Sequence, residues 1–232
     1  DINARKAFCH AFDRDTYKTD VFNDLVIMPT SPNVEGLPYH KDEPVYAFDL
    51  KKSAEYLKKA WGGKAWEKGF KMIITYNTGN AMREAAAKML AENIMSLSPK
   101  FKIEINNVEW KDYVVKIRDF QYPVFISGWG ADYADPHNFL YSFMHSNGYY
   151  GRFMALRNDE NDKLCKTGIE NVEPKIRKAV YHKLQDIWYE DAVGIPIYQQ
   201  IAVRPYQKYV HGFIPNAMFT DDNEILKTLY KE

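Results

Sequence analysis

One segment of the chain, residues 127–140 (SGWGADYADPHNFL), combines side chains that could hold a charged ligand. Asp132 offers a carboxylate, and a sheltered carboxylate holds a cationic group with about 1.5–3 kcal/mol per charge-assisted hydrogen bond. Trp129 and Tyr133 offer flat apolar faces, and the phenol of Tyr133 can also donate a hydrogen bond. These three residues are therefore our candidate ligand contacts.

The glycines of this segment and the helix predicted after it complete the candidate site. Gly128 and Gly130 permit positive φ angles and let a ligand approach the backbone. Asn138 is a further candidate contact because its carboxamide can donate and accept. Asp135 stands directly before Pro136, a residue that suits the first turn of a helix. We therefore expect Asp135 to cap that helix rather than to bind a ligand.

The two aspartates also raise a catalytic alternative, a hydrolase such as a glycosidase. Glycosidases use two carboxyl groups that lie roughly 5–9 Å apart, one of them with a pKa raised by burial. Asp132 and Asp135 could meet that distance, although no other feature of the sequence supports catalysis. A calcium site would need more oxygen ligands than this loop supplies.

Composition argues against several other classes of protein. The 232 residues include 31 Lys and Arg and 31 Asp and Glu. The chain therefore lacks the excess of basic residues that is typical of nucleic-acid-binding proteins. No nucleophile-elbow, phosphate-loop or zinc-protease motif is present, and the six histidines are scattered, so we predict no cofactor and no metal. Cys9 and Cys165 are too far apart in sequence for a redox motif, and only the fold could bring them into a disulfide.

The candidate segment stands within a regular alternation of strands and helices. Three runs rich in β-forming residues predict strands, over residues 70–76, 102–108 and 123–127. Apolar residues spaced by three and four predict helices between them, over 80–97 and 110–120. This order is that of two βαβ units, so we expect an α/β fold with a parallel sheet. Ligands of such sheets bind beyond the carboxyl ends of the strands, where the candidate segment begins.

The rest of the chain has weaker patterns. Helices are also predicted at residues 2–12 and 16–23, from 50, from 136, over 162–169 and from 174. Four prolines predict an ordered loop over 27–45, and residues 194–203 predict a strand. Trp110 and Tyr113 are expected to lie in a helix core because they are spaced as i and i+3.

Seven motifs, taken in order, resemble one known family. They are the runs DINARKAFCHAFDRD, SPNVEGLP, FDLKKSAEYLKKA, WKDY, GWGADYADPHNFL, MHSNGYYGRF and AVYHKLQDIWYEDAVGIPIY. Each is weak alone, but the ordered set covers nearly the whole chain. It resembles the second lobe of the family 5 extracellular solute-binding proteins, the oligopeptide-, dipeptide- and nickel-binding components of ABC importers.

The resemblance implies an architecture, a function and a location. Family members are longer proteins in which two α/β lobes, joined by a hinge, close on a ligand without catalysis. Residues 1–209 would be the carboxyl-terminal ligand-binding lobe, with a periplasmic-binding-protein-like (type II) fold, and residues 210–232 would return toward a missing amino-terminal lobe. The protein would be periplasmic, or extracellular and anchored as a lipoprotein, and would deliver its ligand to ABC transporter permease subunits.

The resemblance also implies roles for individual residues. In peptide-binding members, the aspartate matched by Asp132 binds the α-amino group of the peptide, and the tryptophan matched by Trp129 lies beside it in the cleft. The arginine that some dipeptide binders use for the ligand carboxylate has no secure match, and Arg83 is the candidate. A short peptide is therefore the expected ligand, while nickel complexes, opines and sugars stay open.

Overall fold

A computed structural model describes residues 1–201, 203, 205–214 and 228–232. The strands are β1 Val26–Ile27, β2 Phe70–Asn77, β3 Phe101–Val108, β4 Val124–Phe125, β5 Gln199–Gln200, β6 Val210–His211 and β7 Tyr230–Lys231. The helices are α1 Ile2–Ala11, α2 Arg14–Phe22, α3 Leu50–Leu57, α4 Lys64–Lys68, α5 Ala81–Ser96, α6 Trp110–Arg118, α7 Pro136–Met144, α8 Tyr149–Phe153, α9 Asp159–Glu170 and α10 Pro174–Glu190. A short 3₁₀ helix, Ala60–Gly63, precedes α4.

A parallel sheet with the strand order β3-β2-β4 lies at the centre. β2 pairs with β3 along its whole length, starting from Phe70 opposite Phe101. On its other side β2 pairs with β4, where Ile74 lies opposite Val124. α5 connects β2 to β3, and α6 connects β3 to β4. The predicted α/β fold with two βαβ units is confirmed, and the carboxyl ends of all three strands meet at one edge.

The main core forms where α1 and α5 pack against this sheet. Small residues of α1, such as Ala7 and Ala11, are fully buried and allow close packing. Leu90 and Ile94 of α5 belong to the same cluster as Ile74 of β2. The apolar spacing of these helices therefore predicts the face that the sheet covers.

A second core joins the helices that follow the candidate segment. Leu140 and Met144 of α7 pack with Cys165 of α9 and with Leu184 and Trp188 of α10. The helical layer of α7, α9 and α10 thus holds the second half of α7. It also receives the proline-containing loop, which has no helix or strand between Ile27 and Leu50 and is therefore a loop as predicted.

Several predicted elements differ from those observed. The strand predicted over 123–127 is only β4. Of the strand predicted over 194–203, the described residues form only β5, which pairs antiparallel with β1, and residue 202 lies outside the described residues. α8 was not predicted, because a five-residue helix is too short to show a periodic pattern. Cys9 and Cys165 are both buried and free, so they form no disulfide.

The division into residues 1–209 and 210–232 stays a prediction. In the described part of the tail, β6 and β7 pair with each other, with Val210 opposite Lys231. Residues 215–227 lie outside the described residues.

Candidate ligand-binding site

The candidate segment leaves the sheet at the edge where the three parallel strands end. The backbone N–H of Ile126 still donates to the carbonyl of Thr75 in β2 at 2.9 Å, so the segment starts at a fixed point on the sheet. The side chain of Tyr113 in α6 donates to the carbonyl of Ile126 at 3.0 Å. The segment then crosses to the helical layer, where α7 begins at Pro136.

Three candidate side chains form one hydrogen-bonded cluster. The indole N–H of Trp129 donates to Asn138 Oδ1 at 2.6 Å. Asn138 Nδ2 in turn donates to Asp132 Oδ2 at 3.4 Å. Asn138 is only 6% exposed, whereas Asp132 is exposed. A buried carboxamide therefore orients an exposed carboxylate and a half-buried indole at the same time.

Both glycines stand at this surface. Neither Gly128 nor Gly130 has a positive φ, so the left-handed conformation that glycine permits is not used at either position. A Cβ at Gly128 would lie 2.8 Å from Arg83 Nη2, whereas a Cβ at Gly130 would meet nothing within 4 Å. Gly128 thus makes room for an arginine, and Gly130 leaves backbone open to an approaching ligand.

Arg83 lies at the same edge of the sheet. Asn80 caps α5 by accepting from the backbone N–H of Arg83 at 3.0 Å, and the Arg83 guanidinium donates to Asn77 Oδ1 at 2.5 Å. Within the described residues, Arg83 forms no ion pair with a carboxylate at 4.0 Å or less. A positive charge without a carboxylate partner therefore lies beside the loop that carries Asp132.

Asp135 has a different environment from Asp132. Its side chain caps α7 by accepting from the backbone N–H of His137 at 2.9 Å. Arg177 of α10 donates through Nη2 to both carboxylate oxygens of Asp135, at 2.6 and 2.8 Å. Arg177 was not singled out from the sequence, because nothing local in α10 indicates a partner 42 residues away. Asp135 is thus engaged within the protein and half-buried.

Aromatic rings surround the segment. Trp129 packs against Tyr149 and Tyr150 with ring centroids 5.4 and 5.9 Å apart. Trp110 is 52% exposed and stacks on the buried ring of Tyr113 at 5.8 Å. The prediction of a core position is therefore right for Tyr113 and wrong for Trp110, because Trp110 starts α6 at the open edge of the sheet.

The tyrosines of the site stay protonated at neutral pH. Burial, followed by the charge of Asp135, raises the pKa of Tyr133 above its usual value of 10.0. Burial also raises the pKa of Tyr150, whose hydroxyl donates to the carbonyl of Gly128 at 2.7 Å. These phenols are therefore neutral hydrogen-bonding groups, and the charge of the site comes from Asp132 and Arg83.

The described residues contain neither a metal-binding cluster nor a membrane-spanning helix. In those residues, no three His, Cys, Asp or Glu side chains lie close enough together to hold a metal ion. None of their helices combines the length and the apolar character needed to span a membrane.

Comparison with known proteins places this chain among solute-binding proteins. The oligopeptide-binding protein OppA of Bacillus subtilis is 26% identical over 206 residues, which are 85% of this chain and 37% of that protein. The periplasmic oligopeptide-binding protein OppA of Haemophilus influenzae is 27% identical over 240 residues, which are 99% of this chain and 42% of that protein. The chain therefore spans less than half the length of these curated relatives.

Solved structures give the same result for the fold. Haemophilus influenzae OppA in complex with RPPGFSPFR matches with a TM-score of 0.78 and 25% identity, over 100% of this chain and 45% of that chain. The periplasmic binding protein DppA from Helicobacter pylori, in complex with peptide STSA, matches with a TM-score of 0.83 and 24% identity, over 100% of this chain and 44% of that chain. The predicted periplasmic-binding-protein-like fold is confirmed.

A family model extends the match beyond single relatives. The model of the bacterial extracellular solute-binding proteins, family 5 (middle region), matches residues 1–151, which include α1, the sheet and the candidate segment up to α7. This chain belongs to the bacterial extracellular solute-binding proteins of family 5.

Proposed function

We propose that this chain is a ligand-binding lobe of a longer substrate-binding protein that delivers short peptides to an ABC importer. Residues 1–209 would form the carboxyl-terminal lobe, and residues 210–232 would return toward an amino-terminal lobe. The coverage of less than half of each relative supports a chain that is one part of a longer protein. Large apolar side chains near the end of the chain are also exposed, as expected of a surface that another part of the protein covers; they include Val203, Ile214 and Tyr230.

The cluster of Trp129, Asn138 and Asp132 is the observation that carries the proposal. It holds one exposed carboxylate in a defined orientation at the carboxyl edge of a parallel sheet, where ligands of α/β proteins bind. Asp132 would accept hydrogen bonds from the α-amino group of a peptide. Trp129 and Tyr133 would form the apolar wall beside it, and Gly130 would bring its backbone to the ligand.

The charges at this edge suit a zwitterion. Asp132 and Arg83 have opposite charges, and Arg83 has no carboxylate partner among the described residues. A short peptide carries an ammonium at one end and a carboxylate at the other, so each end would find a complementary group. The relatives named above include oligopeptide-binding proteins, which supports a peptide over a nickel complex, an opine or a sugar.

Transport would depend on closure of the cleft. A ligand that contacts both lobes favours the closed state by the difference in its affinity for the open and closed forms. The permease subunits of the importer would then recognise the closed form. The family and the periplasmic relatives support a location in the periplasm or outside the cell, and in the second case a lipid anchor would hold the protein at the membrane.

The hydrolase alternative receives less support. A glycosidase acid works with a pKa raised by burial, but Asp132 is exposed and both oxygens of Asp135 are bound to Arg177. Family 5 consists of binding proteins, which supports a chain without catalytic activity. Glycoside or peptide turnover that is lost in both Asp132→Asn and Asp135→Asn would favour the alternative.

The test uses the full-length protein and a mixture of unmodified di- to pentapeptides. Bound peptides are identified by native mass spectrometry, and the affinity of those retained is measured by calorimetry. Asp132→Asn should weaken binding at least about tenfold, which corresponds to ~1.4 kcal/mol. N-acetylation of the same peptides should weaken binding to the wild type but not further to the variant, because acetylation and substitution remove the same interaction.

Asp20→Asn, at an exposed position of α2, is the matched control and should bind as the wild type does. Unchanged affinity in Asp132→Asn would refute the proposed anchor. Equal binding of acetylated and free peptides by the wild type would refute recognition of the α-amino group.

A further inference from the structure

Arg177 connects three parts of the protein at the base of the candidate site. Besides its two contacts with Asp135, its Nε donates to the carbonyl of Gly168 in α9 at 3.1 Å. Its guanidinium lies 5.3 Å from the ring centroid of Tyr181 and 5.7 Å from that of Tyr39 in the proline-containing loop. The side chain is only 19% exposed. Arg177 is therefore held from several sides and has little freedom to move.

The charge of Arg177 is stable in this environment. Hydrogen bonding to Asp135 raises the pKa of Arg177 further above its already high usual value, and burial opposes this only in part. The pair is a charge-assisted contact between a guanidinium and a carboxylate that are both partly shielded from water. Removal of Arg177 would leave the Asp135 carboxylate partly buried without its cationic partner, which is costly.

Asp135 transmits this constraint to the ligand contacts. Its backbone N–H donates to the carbonyl of Tyr133 at 2.9 Å, which closes a tight turn directly after Asp132. Its carbonyl accepts from the backbone N–H of Asn138 at 3.1 Å. The position of Asp135 thus determines the direction in which the Asp132 side chain extends from the loop. It also determines where the carboxamide of Asn138 contacts that side chain.

We propose that Arg177 is a positioning residue of the binding loop, which acts through Asp135 to orient Asp132 toward the ligand. Among the described residues, the hydrogen bonds and ring contacts of Arg177 go to Gly168, Asp135, Tyr181 and Tyr39, and none goes to a candidate ligand-binding side chain. Helices α9 and α10 would in this way determine the geometry of a site at the carboxyl edge of the sheet. The inference rests on the proposed function, because it concerns the affinity for the same peptides.

The test is a double-mutant cycle in the full-length protein, with the peptides retained by the wild type. Arg177→Gln should weaken binding about tenfold, as expected of a neighbour coupled to the site. In the Asp132→Asn background the same substitution should cost almost nothing, because the carboxylate that Arg177 orients is already gone. Hydrogen exchange at the backbone N–H groups of Asp135 and His137 should become faster in Arg177→Gln.

Arg14→Gln is the matched control. Arg14 also ties distant segments together, donating to the carbonyls of Pro29 at 2.7 Å and Pro196 at 2.8 Å, but it is not part of the binding loop. Its loss should lower the thermal midpoint and leave peptide affinity unchanged. A merely structural role of Arg177 would give this same pattern.

Asp135→Asn supplies a second variant if Arg177→Gln does not fold. Asparagine is as good an N-cap as aspartate, so α7 should keep its cap while the charge pair with Arg177 is lost. It should show the same loss of affinity and the same dependence on Asp132. Wild-type affinity in a folded Arg177 or Asp135 variant, or a loss that adds fully to that of Asp132→Asn, would overturn the inference. If Asp132→Asn alone had no effect, the proposed function would fail instead.

Discussion

Asp132 and Asp135 are the same residue type in one loop, yet they have different environments. Asp132 is exposed and accepts one long hydrogen bond of 3.4 Å from a side chain. Asp135 caps a helix and binds Arg177 with both oxygens. Asp132 is suitable for binding a ligand because each of its carboxylate oxygens can accept further hydrogen bonds.

Gly69 and Gly79 show how the backbone around the sheet limits substitution. Both have a φ of +76°, which L side chains rarely adopt. Gly69 ends α4 with a ψ of −178°, a combination that is essentially restricted to glycine. A Cβ at Gly69 would also overlap the backbone carbonyl oxygen of Lys100, whereas a Cβ at Gly79 would meet nothing within 4 Å.

We expect Gly69→Ala to lower the free energy of unfolding by about 3 kcal/mol, because steric overlap with the backbone adds to the strained φ. Gly79→Ala, the control with the same φ and open space, should lower it by about 1 kcal/mol. Urea unfolding followed by circular dichroism measures both values. Equal decreases in the free energy of unfolding of the two variants would mean that the contact with Lys100 does not affect stability.

At the scale of elements, one buried glutamine holds the proline-containing loop to α10. Gln185 Oε1 accepts from Ser31 Oγ at 2.8 Å and from the backbone N–H of Lys41 at 3.0 Å. Its Nε2 donates to the carbonyls of Tyr39 and Tyr181 at 3.0 and 2.8 Å. Every polar atom of this fully buried side chain is satisfied, so the loop is ordered without forming a helix or strand.

Gln185→Leu should lower the free energy of unfolding by at least ~2 kcal/mol, because the buried groups that it bonds would lose their partners. Gln199→Leu is the matched control. Gln199 also bonds the backbone of this loop, at Glu35, but in an exposed place, and its loss should cost less than ~1 kcal/mol. Thermal unfolding and hydrogen exchange at Lys41 measure the difference. An equal effect of both substitutions would contradict the importance of burial.

At the level of the whole molecule, the two cysteines are buried in different parts of the fold. Cys165 belongs to the core formed by α7, α9 and α10, and Cys9 is buried in α1. Burial raises the pKa of each thiol to about 12, so almost no thiolate is present at pH 8. Only the thiolate reacts rapidly with disulfide reagents.

We expect neither thiol to react with a disulfide reagent at pH 8 in the native protein, and both to react once urea has unfolded it. Ser96→Cys, at an exposed position of α5, is the positive control and should react at once. Fast reaction of one native thiol would show that its core opens locally. Failure of both thiols to react after unfolding without reductant would show that they had formed a disulfide after all.

Local sequence patterns predict the parts of this protein that depend on neighbours within a few residues. The apolar spacing of α5, the β-forming run of β2 and the proline at the start of α7 each predict their element correctly. The ordered motifs also predict the family.

Contacts between residues distant in sequence depend on the tertiary structure, among them Arg177 with Asp135 and Arg83 beside Gly128. It also exposed Trp110 at the sheet edge and kept the thiols of Cys9 and Cys165 apart. The reason is physical: a helix or strand follows from local periodicity, whereas a contact across 42 residues exists only once the packed elements bring its partners together.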